Sequence, residues 1–431
     1  MILLLSIFIG LLFVFVILTV PIAYALGITS FVAMILDAGL ERFSMVLVAN
    51  RVYYGINSFT LLAVPLFILA GQIMNAGKLT DRIFDFVNSL IGHITGGLGH
   101  VNIVASMLFA GMSGSATADA GGLGAVILRA MKRAGYPDDY SVGVTGASSM
   151  VGTIIPPSIP LIVYGILANV GVGSLFLGGI LPGVLMGLSL MVLAYYFARR
   201  DNYPRTNRAG LSQMARDFLR AALALLTPVI IIGGIWTGFF TPTEAGATAV
   251  AYSVFLTLVI YRSATLRQLW NVFYEAALLS VKVLFILVFG AFYGYLLIRY
   301  RVPMVMAAYL MEVTESPVVL LLLINLFLLL IGCFMSTLVS VTILTPILAP
   351  VVAAFGISPL HFGVVMVFNL TLGNLTPPFG LVLYTLSSVA KMPVVRVVKS
   401  VAPWLIPLLV VLLLCVFFPD IVTYIPLELA R

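Results

Sequence analysis

Two clusters of small hydroxyl and amide side chains, each beside a Pro-Pro pair, are the residues of this chain best placed to do chemistry. The first holds Ser113, Ser115, Thr117 and Asp119 in GMSGSATAD (111–119), then Ser148, Ser149, Gly152 and Thr153 ahead of Pro156 in TGASSMVGTIIPPSIP (145–160). The second holds Gly332, Ser336 and Thr337 in GCFMST (332–337), then Asn369, Thr371, Gly373, Asn374 and Thr376 ahead of Pro377 in NLTLGNLTPPFG (369–380). Proline removes a backbone donor and keeps the residue before it from being helical, so each Pro-Pro pair breaks a helix. Freed carbonyls and neutral side-chain oxygens suit a hard monovalent cation, and half-helix N-termini suit a carboxylate. Any single Ser or Thr here has a plainer use, capping a break or letting helices approach closely. The set as a whole, gathered at two breaks, points to sodium-coupled transport of an organic anion. Sodium is then the coupling ion, and no cofactor is expected.

The elements that position these residues are one unit used twice. Residues 111–157 align with 332–378 at a constant offset of 221, without a gap over 47 positions, of which eight are identical. The identities fall where backbone geometry is restrictive: Gly111/Gly332 and Ser115/Ser336 at a hairpin tip, Gly135/Gly356 at the turn after it, Gly152/Gly373 and both Pro-Pro pairs at the break. Such a repeat indicates a secondary transporter with its site at the repeat interface. Asp119 has no acidic counterpart, since Ser340 occupies its register. It is suited either to hold a cation or to accept N–H bonds at a helix start.

Composition sets the solvent. Of 431 residues, 62% are hydrophobic and 9% charged, with a mean hydropathy of +1.19, so lipid must surround most of the chain. Principal helices are expected at 2–26, 57–76, 175–198, 221–240, 244–261, 272–298 and 401–419, with 28–50 interrupted by Asp37, Glu41 and Arg42. The N-terminus lacks a basic segment and reads as a retained first helix. Cys333 and Cys415 both lie in apolar runs, which excludes a disulfide framework and a metal cluster. The pI near 9.4 follows from positive-inside bias, with no nucleic acid implied.

Sixteen of the 22 Lys and Arg residues fall in zones read as cytoplasmic: Lys78–Arg82 with Arg129–Arg133, Arg199–Arg220, Arg262–Arg267 and Lys391–Lys399. Hairpin one is flanked by these charges. Hairpin two is flanked by Arg299, Arg301, Glu312 and Glu315 before it and by uncharged Gly356-Ile357-Ser358 after it. The two hairpins therefore enter from opposite faces, and the repeat is inverted. The expected fold is an all-α polytopic membrane protein with two re-entrant hairpins and two broken helices, of elevator type. Its expected divisions are 1–98 (scaffold and arm helices), 99–173 (transport half one), 174–315 (scaffold, with cytoplasmic loop 199–220), 316–390 (transport half two) and 391–431 (C-terminal helix).

Other charged positions read as structural. Thr241, Pro242 and Glu244 make a capping box. Glu275 and Lys282 share a helix face and suit a local pair or a partner contact. GMSG (111–114) matches the G-x-S-G signature of rhomboid intramembrane serine proteases, but only His93, His100 and His361 are available as a base. That rival also leaves the second hairpin and both breaks unexplained. No P-loop or dinucleotide fingerprint is present.

GMSGSATADAGGLGAV (111–126), ASSMVGTIIPPSIPLIVYG (147–165), FTPTEAGATAVAY (240–252) and LTPPFGLVLY (375–384) resemble the large membrane subunit of tripartite ATP-independent periplasmic (TRAP) transporters. PLFILAGQIMNAGKL (65–79) and HFGVVMVFNLTLG (361–373) extend the resemblance to about residues 5–420. It implies a sodium-driven elevator importer of organic acids in the bacterial inner membrane. It also implies a separate small four-helix membrane subunit, not fused to this chain, and a soluble periplasmic substrate-binding protein. By resemblance, sodium sites fall at Ser113 and Ser115 with the break Ser149–Pro156, and at Gly332 and Ser336 with the break Thr371–Pro377. Gly152, Thr153, Thr337, Gly373 and Asn374 complete that set, and Thr117, Asp119, Ser148, Asn369 and Thr376 are candidate substrate contacts. Asn374 stands where the family often has an aliphatic residue, and Ser336-Thr337 where an acid is common. C4-dicarboxylates are the default substrate, with sialic or other sugar acids next. A binding-protein-independent sodium–anion symporter is the alternative.

Overall fold

The computed structural model describes residues 2–39, 44–205 and 208–429; for 2–6, 9, 38, 110–113 and 429 only the backbone is described. All regular structure among these residues is helical. Among the described residues eight stretches are long and apolar enough to cross a membrane: those beginning at Phe59, Val172, Leu211, Pro242, Leu266, Pro317, Thr337 and Val394.

The N-terminal helices are α1 (Ile2–Ile17), α2 (Ile22–Ala38), α3 (Met45–Ile56), α4 (Ala63–Ala76) and the amphipathic α5 (Leu79–Ile91). The apolar run 2–26 is thus two helices rather than one. Thr19 adopts a left-handed φ of 58° and Pro21 precedes the first turn of α2, because a proline there cannot continue the hydrogen-bond ladder. Asp37 ends α2 facing Arg299, with Nη2 at 3.1 Å from the carboxylate. Glu41, Arg42 and Arg431 lie outside the described residues.

Hairpin one comprises α6 (Gly97–Ser113), α7 (Ala116–Gly121) and α8 (Leu123–Arg133), and its broken helix comprises α9 (Asp138–Ser149) and α10 (Ile159–Ala168). Then come α11 (Val172–Arg200), α12 (Leu211–Trp236), α13 (Pro242–Phe255), α14 (Leu266–Arg299) and α15 (Val302–Val313). Helix α12 starts ten residues before the expected 221, so the charged stretch 211–220 is helix, not loop. The box of Thr241 and Glu244 forms as expected, and a second one, Thr265 with Gln268, starts α14 earlier than 272. Glu275 and Lys282 are both exposed on α14 and form no ion pair.

Hairpin two is α16 (Pro317–Phe334) and α17 (Thr337–Ala354), its broken helix α18 (Pro359–Gly373) and α19 (Leu381–Ala390), and α20 (Val394–Phe417) and α21 (Asp420–Leu429) follow. Within each half, the hairpin's first arm packs on the first piece of the broken helix: α6 on α9, α16 on α18. The second pieces cross over, α10 packing on α17 and α19 on α7. Both Pro-Pro bonds, 156–157 and 377–378, are cis. This exchange brings the two hairpin tips and the two breaks to one place.

Candidate functional site

The tips turn in different ways. Gly114 takes φ +59° with Pro157 O so near that a Cβ would sit 2.8 Å from it, so glycine is required there both for the turn and for the approach. Hairpin two turns through extended Met335 and Ser336, and the Ser336 hydroxyl accepts the Val339 N–H to cap α17. Behind that tip, Gly332 and Gly373 meet backbone to backbone; a Cβ on Gly373 would lie 2.5 Å from Gly332 Cα.

Between the tips and breaks lies a cavity of about 460 Å³. Gly114–Ala118 and Ser336–Leu338 supply the tips, Thr153 and Asn374 the breaks, and α4 and α14 the facing wall. Thr153 and Asn374 are repeat counterparts, and they are joined by a chain of hydroxyls. Thr153 Oγ1 donates to Thr371 Oγ1 (3.1 Å), which lies 3.4 Å from Thr337 Oγ1, which accepts from Asn374 Nδ2 at 2.8 Å. All four side chains are buried. The Asn374 Oδ1 is buried without a hydrogen-bond partner. No charged side chain lines the cavity among the described residues.

Of the residues singled out in the sequence, Ser115, Thr117, Thr153, Ser336, Thr337 and Asn374 line this cavity, and Thr371 joins through the hydroxyl chain. Ser115 and Thr117 hydroxyls lie 3.1 Å apart. Gly152, Pro156, Gly332 and Gly373 are buried beside it as backbone, while Pro377 is exposed. The side chain of Ser113 lies outside the described residues.

The other five side chains are turned elsewhere. Asp119 is buried in α7 behind the tip. Ser149 Oγ donates to Gly146 O (2.8 Å) and Thr376 Oγ1 to Leu372 O (2.8 Å). Ser148 and Asn369 clasp each broken helix to its hairpin. Ser148 Oγ donates to Asn102 Oδ1 (3.1 Å), and Asn102 Nδ2 to Thr145 Oγ1 (2.7 Å). Asn369 Nδ2 donates to Asn325 Oδ1 (2.7 Å) and to its backbone oxygen (2.9 Å). Sequence reasoning missed Asn102 and Asn325 in these clasps, and Gln72 and Asn75 of α4 in the cavity wall. Their only signal was a polar amide in an otherwise apolar helix. Of the protease rival's histidines, His361 is held by a 2.7 Å bond to Cys415 O.

Comparison with known proteins identifies the family. Residues 9–421 match the family described as tripartite ATP-independent periplasmic transporter, DctM component. The chain is 44% identical to the sialic acid TRAP transporter large permease protein SiaM of Vibrio cholerae over 88% of each chain. It is 39% identical to the 2,3-diketo-L-gulonate TRAP transporter large permease protein YiaN of Escherichia coli K12, covering 93% of this chain and 94% of that one. Against the C4-dicarboxylate TRAP transporter large permease protein DctM of Pseudomonas aeruginosa the identity is 38%, over 85% and 86%. Among solved structures, the YdaH transporter of Alcanivorax borkumensis, titled for its unusual topology, shares the fold with a TM-score of 0.65 over 87% of both chains at 16% identity. A family match over nearly the whole chain, with relatives this similar across their own lengths, makes the protein a member of the DctM family: a multi-pass inner-membrane transport protein, the large permease component of a TRAP transporter.

Proposed function

We propose that the chain imports an organic acid with sodium as the coupling ion, receiving it from a periplasmic binding protein and working beside a small four-helix membrane subunit. One observation carries this reading, the convergence of helix ends on the cavity. First-turn residues of α7, α10, α17 and α19 line it: Ala116–Ala118, Ile159 and Pro160, Thr337 and Leu338, and Leu381. Their N-termini favour a negative group. Helices α9 and α18 end in the same place, and their carbonyl ends, with the hydroxyls of Thr153, Thr337 and Thr371 and the Asn374 oxygen, favour a hard cation.

Anion and cation held side by side each lower the cost of burying the other. Their affinities are then reciprocally coupled, which is what symport needs. The cavity also lies between α4 and α14 on one side and the hairpin tips on the other. Sliding of 99–173 with 316–390 against the frame of 1–98 and 174–315 would carry it across the membrane, as an elevator does. The last two turns of α4, just before Lys78, form part of its wall. Uptake by proteoliposomes is expected to need a sodium gradient, the small subunit and the binding protein. Sodium-independent uptake would remove the coupling ion, and full uptake without the binding protein would favour a simple sodium–anion symporter.

A further inference from the structure

Helix α4, AVPLFILAGQIMNA, contains two polar side chains, Gln72 and Asn75. With Ile68 and Gly71 they take up the i, i+3, i+4, i+7 positions of one helix face, and all four line the cavity. Among the described residues neither side chain forms a hydrogen bond; Gln72 is half-buried with its Oε1 buried and without a partner, and Asn75 is exposed to the cavity. An amide in a membrane helix costs free energy unless something satisfies it. A helix that is apolar on every other face has no packing use for two amides on this one. What satisfies them must come from the cavity.

We infer that Gln72 and Asn75 are specificity residues: they hydrogen-bond the uncharged hydroxyl, carbonyl or amide groups of the carried acid, which is a hydroxylated monocarboxylate. The inference rests on the reading of the cavity as the substrate site. Each amide offers a donor and an acceptor, which matches hydroxyl and N-acyl groups, themselves donors and acceptors. A second carboxylate on this wall would meet no cationic side chain and would be buried uncompensated. The single carboxylate is served at the opposite wall by the helix N-termini. At about 460 Å³ the cavity has the size of a site for a ligand larger than a four-carbon diacid. A polar body on α4 also bridges the two walls, so that the acid is read from the frame while its carboxylate is held by the hairpins.

The test reads binding rather than transport, using the full chain in nanodiscs so that both faces are accessible. Cys333 and Cys415 are buried, so the unaltered chain sets the background for labelling by a hydrophilic maleimide. Q72C and N75C are labelled in the presence of N-acetylneuraminate, gluconate or succinate, with and without sodium, and S212C on exposed α12 serves as the control. At ten times its dissociation constant, a hydroxylated monocarboxylate is expected to slow labelling at position 72 or 75 about tenfold. Succinate should slow it less than about twofold, and S212C should respond to neither. Two positions are used so that one misfolded variant does not decide the matter. Equal protection by succinate, or protection by none of the three acids, overturns the inference. Protection that is unaffected by sodium leaves it standing and counts against sodium coupling instead, so the two readings fail separately.

Discussion

In the first half of the repeat the Pro156-Pro157 loop is buried, while in the second the Pro377-Pro378 loop is exposed together with Phe379, 52% accessible. The cause lies in α11. Its Gly179 and Gly183 press against Ile154 and Ile155, so closely that a Cβ on either glycine would fall 2.3 Å from an atom of break one. The glycine pressed against break two is Gly332 of its own hairpin, meeting Gly373, and among the described residues no glycine of α11 lies so close to it. The capping differs too: Ser158 accepts the Leu161 N–H to cap α10, whereas α19 begins at Gly380 with no side-chain cap. Thr153 Oγ1 shares its one proton between Met150 O (2.8 Å) and Thr371 Oγ1 (3.1 Å), while its counterpart Asn374 keeps a free buried oxygen. Break one is braced and its Thr153 hydroxyl engaged; break two is uncovered and carries unspent ligand capacity. An inverted repeat with equal registers need not divide its work equally, and here the first half serves as the anchor and the second as the lip.

The largest effect should come from the brace. Gly179→Ala would drive a methyl into Ile154 O and displace break one, a destabilisation of about 3 kcal/mol. The expected readout is a lower thermal midpoint of the purified chain, with uptake lost even where protein remains folded. A G179A protein with unchanged midpoint would show that break one is not braced by α11, and the asymmetry argued above would lose its cause.

The two clasps come next. Asn369→Leu removes two bonds to Asn325 and strands its carboxamide oxygen, about 2 kcal/mol, while Ser148→Ala leaves Asn102 its bond to Thr145 and costs about 1 kcal/mol or less. Both variants should keep the wild-type dependence on sodium, since neither side chain faces the cavity. A raised sodium requirement in either would bring that residue back into the ligand set.

The ligand oxygens themselves sharpen the contrast between halves. Asn374→Ala should raise the sodium concentration for half-maximal uptake about tenfold, equivalent to about 1.4 kcal/mol. Thr153→Val, whose hydroxyl is already engaged twice, should raise it only about two- to threefold. Equal shifts would mean that both counterparts ligate alike.

Much of this arrangement was legible in residue types. The offset of 221, the Pro-Pro breaks and the capping box of Thr241 and Glu244 all depend on local backbone chemistry, which a sequence states directly. The break between α1 and α2 was hidden because the run from Ile2 to Leu26 is apolar throughout and Pro21 alone marks the turn. The start of α12 was hidden because charges read as loop when no partner is visible, although an amphipathic turn at the membrane edge carries them equally well. At the site, polarity near a break did not say which way a side chain points. Ser148 and Asn369 flank the breaks in the sequence, yet they face Asn102 and Asn325 on the hairpin arms. Gln72 and Asn75 reach the cavity from about forty residues before the first hairpin tip, a distance that only the packing of α4 against the rest of the fold removes.

The smallest effect concerns how half one is tied down at its outer end. Asp139, at the start of α9, accepts Arg396 Nε at 2.8 Å and Nη2 at 3.0 Å, and Ser400 Oγ at 2.9 Å, so the broken helix is pinned to α20. Its counterpart at the offset of 221 is Leu360, so half two lacks the ionic pin and is tied to α20 through the bond between His361 Nε2 and Cys415 O (2.7 Å) instead. The hydrogen bonds from Arg396, and then that from Ser400, hold the Asp139 carboxyl below the usual carboxylate range. A folded-state value below the unfolded one, which is about 3.9, contributes stability at neutral pH that is lost as pH falls through the folded value. Exposure of the pair keeps the contribution small. Asp139→Asn should therefore lower the thermal midpoint slightly at pH 7, and the gap from wild type should close below about pH 4. Leu360→Ala should show no pH-dependent gap over the same range. A gap for D139N that persists into acid would assign the effect to packing at the end of α9 and remove the ionic pin from the account of why half one is the anchor.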